Sequence, residues 1–314
     1  MDPETRAIAC CISTLHRAEG LAATLASVAA QRASLPTATR LIAIVVSNDP
    51  ADVRPAGIVA QVRAQTGLEV ILDAEPRRGV AFPRNRALEI ARRTVGAGGA
   101  IVFIDDDEIA TDGWLAALLA ARERFGPGIV TGPVDPSFQH PPPDWVIEGG
   151  FFDATLLPTG TRRPWAFTNN VLLDASLIDE AGPRFQTEFV RVGEDRHFFQ
   201  RLAQAGVPIR WVAEARVVES IPPDRVSAAW LVSRQRSAGR CVAPIERDVR
   251  GAAWSMMSCT AKGVVWIVLA SIRQMLARRT SASVRARMQY AWGLGLLEGA
   301  WRPNLARCPV AVKD

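Results

Sequence analysis

The chain has 314 residues, 48% hydrophobic and 22% charged, enough to bury a full core in one large α/β domain with a smaller appendage. This ordinary composition excludes collagen-like, disordered and small disulfide-stapled classes. The formal net charge of +5 conceals a division. Residues 1–224 carry 22 Arg against 28 Asp and Glu, a net of −6, whereas residues 225–314 carry 15 Lys and Arg against 4 Asp and Glu, a net of +11.

The spacing of apolar residues predicts a strand over 7–13, then a helix with Leu21, Leu25 and Val28 on one face. Apolar runs over 41–46, 68–72 and 100–104 predict further strands, and helices are predicted over 83–95 and 112–125. This order implies an α/β fold, a mostly parallel sheet covered by helices on both faces. Ligands of such sheets sit at the carboxyl ends of strands. Polar residues gather there: Thr14, His16 and Arg17 after the first strand, Asn48 and Asp49 after the second, Asp105, Asp106 and Asp107 after the fourth.

Residues 133–164 carry several prolines and show little periodicity; an irregular stretch of that length is usually functional. A strand over 167–173, a helix over 194–205 and short strands over 207–212 and 215–220 follow, and from Ser227 onward the chain reads as helical. The most apolar run there, 263–271, would span about 14 Å as a helix, roughly half a bilayer core. With Arg273, Arg278 and Arg279 close behind, it is expected to lie on a membrane or in a core and not to cross.

Five cysteines (Cys10, Cys11, Cys241, Cys259 and Cys308) are odd in number and lack metal-ligand spacing, which favours a reducing cytoplasm. The opening Met-Asp-Pro-Glu-Thr-Arg lacks the pattern of a signal peptide. The basic last third also holds five of the nine Trp. Positive charge with Trp and aliphatic residues points first to an anionic membrane surface and second to nucleic acid, for which no motif accompanies the charge.

The sharpest local signal is Asp105-Asp106-Asp107 directly after an apolar strand. Adjacent carboxylates repel, burial raises their pKa values, and a bound magnesium or manganese ion would resolve the conflict. A solvated acidic turn ahead of the helix near Asp112 is the alternative. Glu194-Asp195 at the start of a helix places carboxylates where the dipole favours them, with or without catalysis.

Five segments follow one another in a specific order. They are Ile12-Ser13-Thr14-Leu15-His16-Arg17-Ala18-Glu19-Gly20-Leu21, Val45-Val46-Ser47-Asn48-Asp49-Pro50, Arg78-Gly79-Val80-Ala81-Phe82-Pro83-Arg84-Asn85-Arg86, Phe103-Ile104-Asp105-Asp106-Asp107-Glu108, and Gly193-Glu194-Asp195-Arg196-His197-Phe198. Together, over residues 7–240, they resemble the family 2 glycosyltransferases, whose nucleotide-diphospho-sugar-binding fold is called GT-A.

The resemblance implies that Thr14, Arg17 and Glu19 belong to the segment that cups the nucleobase and ribose, and that Asn48 and Asp49 reach the base. It implies that Gly79, Arg84 and Asn85 face the phosphate and ribose. Asp107 and Asp105 would hold Mn2+ or Mg2+, with Asp106 beside them. Asp195 would be the catalytic base, with Glu194 as second candidate. His197 is expected on a helix surface, or else lining the acceptor site or touching the metal, and Asn169 and Asn170 resemble a family Asn beside the acceptor, with strand-edge hydrogen bonding as the alternative.

The family's processive members carry a Gln-x-x-Arg-Trp segment and spanning helices, whereas this chain has Arg234-Gln235-Arg236-Ser237-Ala238-Gly239-Arg240. It thus looks like a non-processive enzyme. Pro222-Pro223-Asp224-Arg225 and the Arg-rich helix after it resemble succinoglycan-type bacterial glucosyltransferases that extend lipid-linked exopolysaccharide units. The expectation is an inverting, metal-dependent transferase using a UDP-sugar such as UDP-glucose and a saccharide acceptor, for which a polyprenyl-diphosphate-linked saccharide is the candidate. Arg234, Arg236 and Arg240 are expected either at that diphosphate or on a solvated face. Residues 1–224 would form the catalytic domain, and 225–314 would dock on the inner face of the cell membrane. One rival is a nucleotidyltransferase, which wants a Gly-rich basic loop after the first strand that 13–20 lacks. Another is a membrane-peripheral scaffold with a degenerate site, against which the intact Asp105, Asp107 and Asp195 argue.

Overall fold

The computed structural model describes residues 6–179, 182–189 and 192–302. The chain divides into two compact units, one of Met1–Pro136, Ala154–Gln186 and Asp195–Glu219, the other of Ser137–Asp153, Thr187–Glu194 and Ser220–Asp314. Two segments ahead of residue 225 thus belong with the later helices.

The first unit opens with β1 (Arg6–Thr14), α1 (Ala18–Ala30), β2 (Thr39–Ser47), α2 (Arg54–Thr66), β3 (Glu69–Ala74), α3 (Ala81–Val95) and β4 (Ala100–Ile104). It continues through β5 (Glu108–Ala110), α4 (Trp114–Phe125) and β6 (Ile129–Thr131). Further along the chain come β7 (Val134–Phe138), α5 (Asp144–Gly149, in the second unit), β8 (Asn170–Asp174), α6 (Glu194–Gln204), β9 (Ile209–Trp211) and β10 (Val217–Ile221). A seven-stranded sheet runs β3-β2-β1-β4-β8-β6-β9, and a small sheet runs β5-β10-β7.

Strand β1 shows why the large sheet forms. Its side chains alternate between two buried faces. Ile8, Cys10 and Ile12 pack in one core with Leu21, Leu25 and Val28 of α1, while Ala9 and Cys11 join Ala87, Leu88 and Ala91 of α3 in the other. Cys10, Cys11, Cys241 and Cys259 are buried, and burial pushes Cys10 up to about 12. Cys308 lies outside the described residues.

The sheet is mostly parallel, as the sequence implied, with one strand reversed. Strand β8 runs against both β4 and β6 (Val102 and Val130 each face Leu172). The stretch 133–164 is not featureless, because it contains β7 and α5.

The second unit carries α7 (Ala228–Arg250), α8 (Ala252–Leu276) and α9 (Thr280–Trp301). Glycines set how closely these helices approach. A Cβ on Gly263 would lie 2.9 Å from the Gly293 carbonyl oxygen, and one on Gly293 2.8 Å from that of Gly263, so α8 and α9 meet backbone to backbone. Gly295 and Gly299 do the same for α9 against the Arg236 and Arg240 carbonyls of α7. The nine-residue run 263–271 proves to be part of a 25-residue helix, Ala252–Leu276, with mean hydropathy 1.5 over its most apolar window. That helix is long and apolar enough by length and composition to cross a membrane, whereas the short run alone is not.

Candidate active site

The first four sheet strands in sequence run parallel, so their carboxyl ends lie along one edge: Thr14 of β1 faces Ser47 of β2, and Ser47 faces Ala74 of β3. Asn48 ties this edge together. Its N–H donates to the Thr14 carbonyl (2.9 Å), and its side-chain amide donates to the Glu75 (2.8 Å) and Arg77 (2.7 Å) carbonyls. Both amide hydrogens are therefore committed to joining loops, and Asn48 frames the site more than it faces a ligand.

Asp49 stands in a polar cluster that the sequence reading only half saw. His16 Nε2 lies 3.3 Å from Asp49 Oδ2 and His16 Nδ1 3.4 Å from Asp52 Oδ2, while Arg78 Nη2 is 3.6 Å from Asp49. The Arg54 guanidinium, bonded to Asp52, holds that carboxyl well below the usual range. His16 is the one described non-glycine residue with positive φ (59°), the bend that turns β1 into α1.

The aspartate turn sits against α1. Thr24 Oγ1 donates to the Glu108 carbonyl (2.7 Å), and a Cβ at Gly20 would collide with the Asp106 carbonyl oxygen. Neither Gly20 nor Thr24 was singled out from sequence, and only a collision across 86 positions of chain reveals the glycine. The Asp105 N–H donates to Glu108 Oε2 (2.9 Å), and complete burial pushes the Glu108 carboxyl well up.

Arg17 Nη1 bridges Asp106 Oδ1 (3.0 Å) and Asp107 Oδ2 (2.7 Å), and Arg84 Nη2 donates to Asp105 Oδ1 (3.2 Å). Burial, only partly offset by Arg17, raises Asp106 to about 6. The turn is a concentration of negative charge held by two arginines from different elements.

Asp195 of α6 belongs to the same electrostatic group. Burial raises its pKa, Arg84 pulls it down, and the negative charge of Asp105 pushes it up. Its Oδ1 accepts the Arg196 N–H (2.6 Å), so the side chain folds back on its own helix start. Glu194, one residue earlier, is buried.

The other sequence candidates divide. Gly79, at φ 128°, takes the chain into α3 through a conformation that favours glycine. Glu19 is exposed on the first turn of α1. Asn85 clamps Phe185 through two backbone bonds, Nδ2 to its carbonyl (2.8 Å) and its N–H to Oδ1 (2.9 Å), which leaves little of the amide for a phosphate.

Asn170 is locked in the interior: Oδ1 accepts Trp114 Nε1–H (2.9 Å), and Nδ2 donates to the Pro133 (2.9 Å) and Ala215 (2.7 Å) carbonyls. It is a structural amide, not an acceptor contact. His197 is buried, against the expectation of a surface position. Arg236 and Arg240 both pair with Glu298, and Arg234 stacks over Trp230, so none of the three projects freely as a phosphate ligand.

Among the described residues no three His, Cys, Asp or Glu side chains form a closed metal cage. The aspartate turn nonetheless suits a hard cation that takes one or two carboxylates and completes its shell with phosphate oxygens and water. Asp105 and Asp107 keep 36% and 17% of their side chains exposed, and the buried Asp106 Oδ2 has no hydrogen-bond partner among the described residues.

Comparison with known proteins bears on this geometry. A family model described as glycosyl transferase family 2 matches residues 9–182. The chain is 30% identical over 267 residues to the succinoglycan biosynthesis protein ExoM of Rhizobium meliloti (strain 1021), covering 83% of each chain. It is similar in structure to the mannosyltransferase PcManGT from Pyrobaculum calidifontis, solved with GDP-Man and Mn2+ (TM-score 0.59, 17% identity, 94% of this chain and 87% of that one). It is also similar to S. aureus TarS (TM-score 0.54, 15% identity, 94% of this chain), of which it spans about half the length, 55%. The TarS portion 1–349, solved with UDP, matches with TM-score 0.52 and 14% identity over 94% of this chain and 91% of that one. These likenesses bear out the GT-A fold.

Proposed function

The chain belongs to the family 2 glycosyltransferases, and from that premise we propose that it moves one sugar, with inversion at the anomeric carbon, from a UDP-sugar such as UDP-glucose to a saccharide acceptor. The observation that carries this reading is the charge group at the carboxyl edge of the sheet, where Arg17 holds Asp106 and Asp107, and Arg84 acts on both Asp105 and Asp195.

In the proposed reaction Asp195 takes the proton from the attacking acceptor hydroxyl, and its raised pKa suits a general base. The acceptor oxygen bonds to the anomeric carbon on the face opposite the diphosphate. The bond from that carbon to the diphosphate oxygen breaks, and its electron pair leaves with the nucleoside diphosphate. No second carboxylic acid is required, in contrast to hydrolytic glycosidases with their paired acids. Asp105 and Asp107 would hold Mn2+ or Mg2+, which when bound neutralises charge on the leaving diphosphate. Arg17 and Arg84 keep the aspartate turn in place, while His16, Asp49 and Arg78 offer donors and an acceptor for the nucleoside.

A relative named for succinoglycan biosynthesis supports a saccharide acceptor in cell-surface or exopolysaccharide synthesis, here proposed as lipid-linked. The net charge of +11 over 225–314 supports a cytoplasmic enzyme held at the inner face of the membrane.

The test is Asp195→Asn with product analysis by NMR. Transfer should fall by at least about 100-fold while nucleotide affinity is kept, and the wild-type product should carry the anomeric configuration opposite to the donor. Retained configuration, or undiminished transfer by the variant, would overturn the assignment.

A further inference from the structure

Helix α8 presents two faces of opposite character. Ser255, Cys259, Gly263 and Ala270 are buried, while Met257, Val264, Val268, Ile272, Met275 and Leu276 form an exposed stripe, the last two 79% and 74% exposed. Contiguous apolar surface of this extent on a folded unit marks a contact with something absent from the monomer.

Charge identifies the partner. Residues 249–297 contain seven Lys and Arg and no Asp or Glu. At the carboxyl end of α8 a hollow of about 640 Å³ is lined by Arg273, Arg278, Arg279 and Arg285 with Ser281 and, as the one acid, Glu148. Arg273 bonds Gln289 (2.6 Å), Arg285 bonds the Gly149 carbonyl, and Ser281 Oγ donates to Glu148 (3.4 Å). The side chains of Arg278 and Arg279 make no hydrogen bond or ion pair among the described residues, so their forks remain available to a phosphate. Trp254 and Tyr290, both exposed, add the amphipathic rings that favour a headgroup layer. A second copy is a poor occupant, because two surfaces on which bases far outnumber acids would face one another.

We propose that the apolar stripe of α8 and the arginine-lined hollow at its end form one surface that lies in the interface of an anionic phospholipid bilayer, with a lipid phosphate in the hollow. This deepens the reading of an enzyme held at the membrane face and rests on it. The helix lies along the surface and does not cross, although its length permits crossing. Its inner face rests on α9, which carries Arg285, Arg287 and Glu298, and a crossing would drag those charges into hydrocarbon.

The experiment is co-sedimentation of the full chain with phosphatidylcholine vesicles, with and without phosphatidylglycerol. It compares wild type, Val264→Glu/Val268→Glu/Ile272→Glu and Arg278→Gln/Arg279→Gln, all at exposed positions. Wild type should bind the anionic vesicles, more weakly as salt rises. The arginine pair variant should lose about fivefold in partitioning per arginine, and the triple variant should fall to background. UDP titration and far-UV circular dichroism check that each variant remains folded; if the triple variant does not fold, the arginine variant decides.

Wild-type binding that neither variant weakens would overturn the assignment of this surface and leave the membrane reading intact. Failure of wild type to bind any vesicle would overturn both. Binding of inorganic phosphate without vesicle binding, or a dimer that the triple variant dissociates, would identify a different occupant and overturn the proposal.

Discussion

Gly20→Ala isolates the mechanical link between α1 and the aspartate turn. An added Cβ would fall inside 3.0 Å of the Asp106 carbonyl oxygen, 3.4 Å from its carbon and 3.6 Å from Asp107 Cα. Every one of these atoms is backbone, so no side chain can swing aside, and the turn must retreat by about 1 Å to restore ordinary contact. A displacement of that size at a reacting centre costs on the order of 100-fold in rate. Overpacking costs about 1–3 kcal/mol, offset by the 0.5–1 kcal/mol or so that alanine gains over glycine in a helix. The expected result is therefore a net destabilisation of about 1–2 kcal/mol with a disproportionate loss of kcat. Gly57→Ala in α2 is the control: nothing lies within 4 Å of its Cβ, so it should gain a few tenths to about 1 kcal/mol with activity unchanged. Steady-state transfer assays and thermal melting read both quantities. Wild-type kcat and melting temperature in Gly20→Ala would refute the claim that this contact positions the carboxylates.

Two further predictions concern charge and polar packing. With Asp195 as base, the acid limb of kcat/KM should lie above the ordinary carboxylate range, because burial raises its pKa and activity is lost as falling pH protonates it. Arg84→Gln removes the positive charge that lowers this pKa, so the limb should move to higher pH; a move to lower pH, or none, would contradict the pairing. Asn170→Ala strips partners from the Trp114 indole and two carbonyls in the interior and should destabilise the fold by about 2–3 kcal/mol in chemical denaturation. Nucleotide affinity measured on the folded fraction should be unchanged, and a selective loss of affinity would return Asn170 to the ligand site.

Strands β1 to β4 were legible because each is a near-continuous apolar run, and the alternation of such runs with helical periodicity leaves few architectures. Strands β5 and β6 have three residues apiece, too few for any period to register, and β7 begins Val-Asp-Pro-Ser, which reads as a turn, whereas β9 falls within the apolar run 207–212. Asp105, Asp106 and Asp107 declare themselves by being adjacent and charged after a buried strand. The amides do not: Asn48, Asn85 and Asn170 could each face a ligand or a backbone, and only partners 27 to 100 positions away decide. Gly293 and Gly295 carry no local signal in the sequence. Their function, close approach of α9 to α8 and α7, depends on helices whose pairing no local pattern encodes. The reach of α8 was underestimated because Lys262 and the polar residues before it interrupt the apolar run without ending the helix.

Calorimetric titration with UDP, in the presence and absence of Mn2+, on wild type and Asp107→Asn tests the central claim most directly. The account predicts UDP binding that the metal strengthens, with this strengthening lost in Asp107→Asn while the fold is unchanged. Absence of binding by UDP, GDP and dTDP alike to folded wild-type protein would contradict it, and preference for GDP or dTDP would contradict the donor assignment alone.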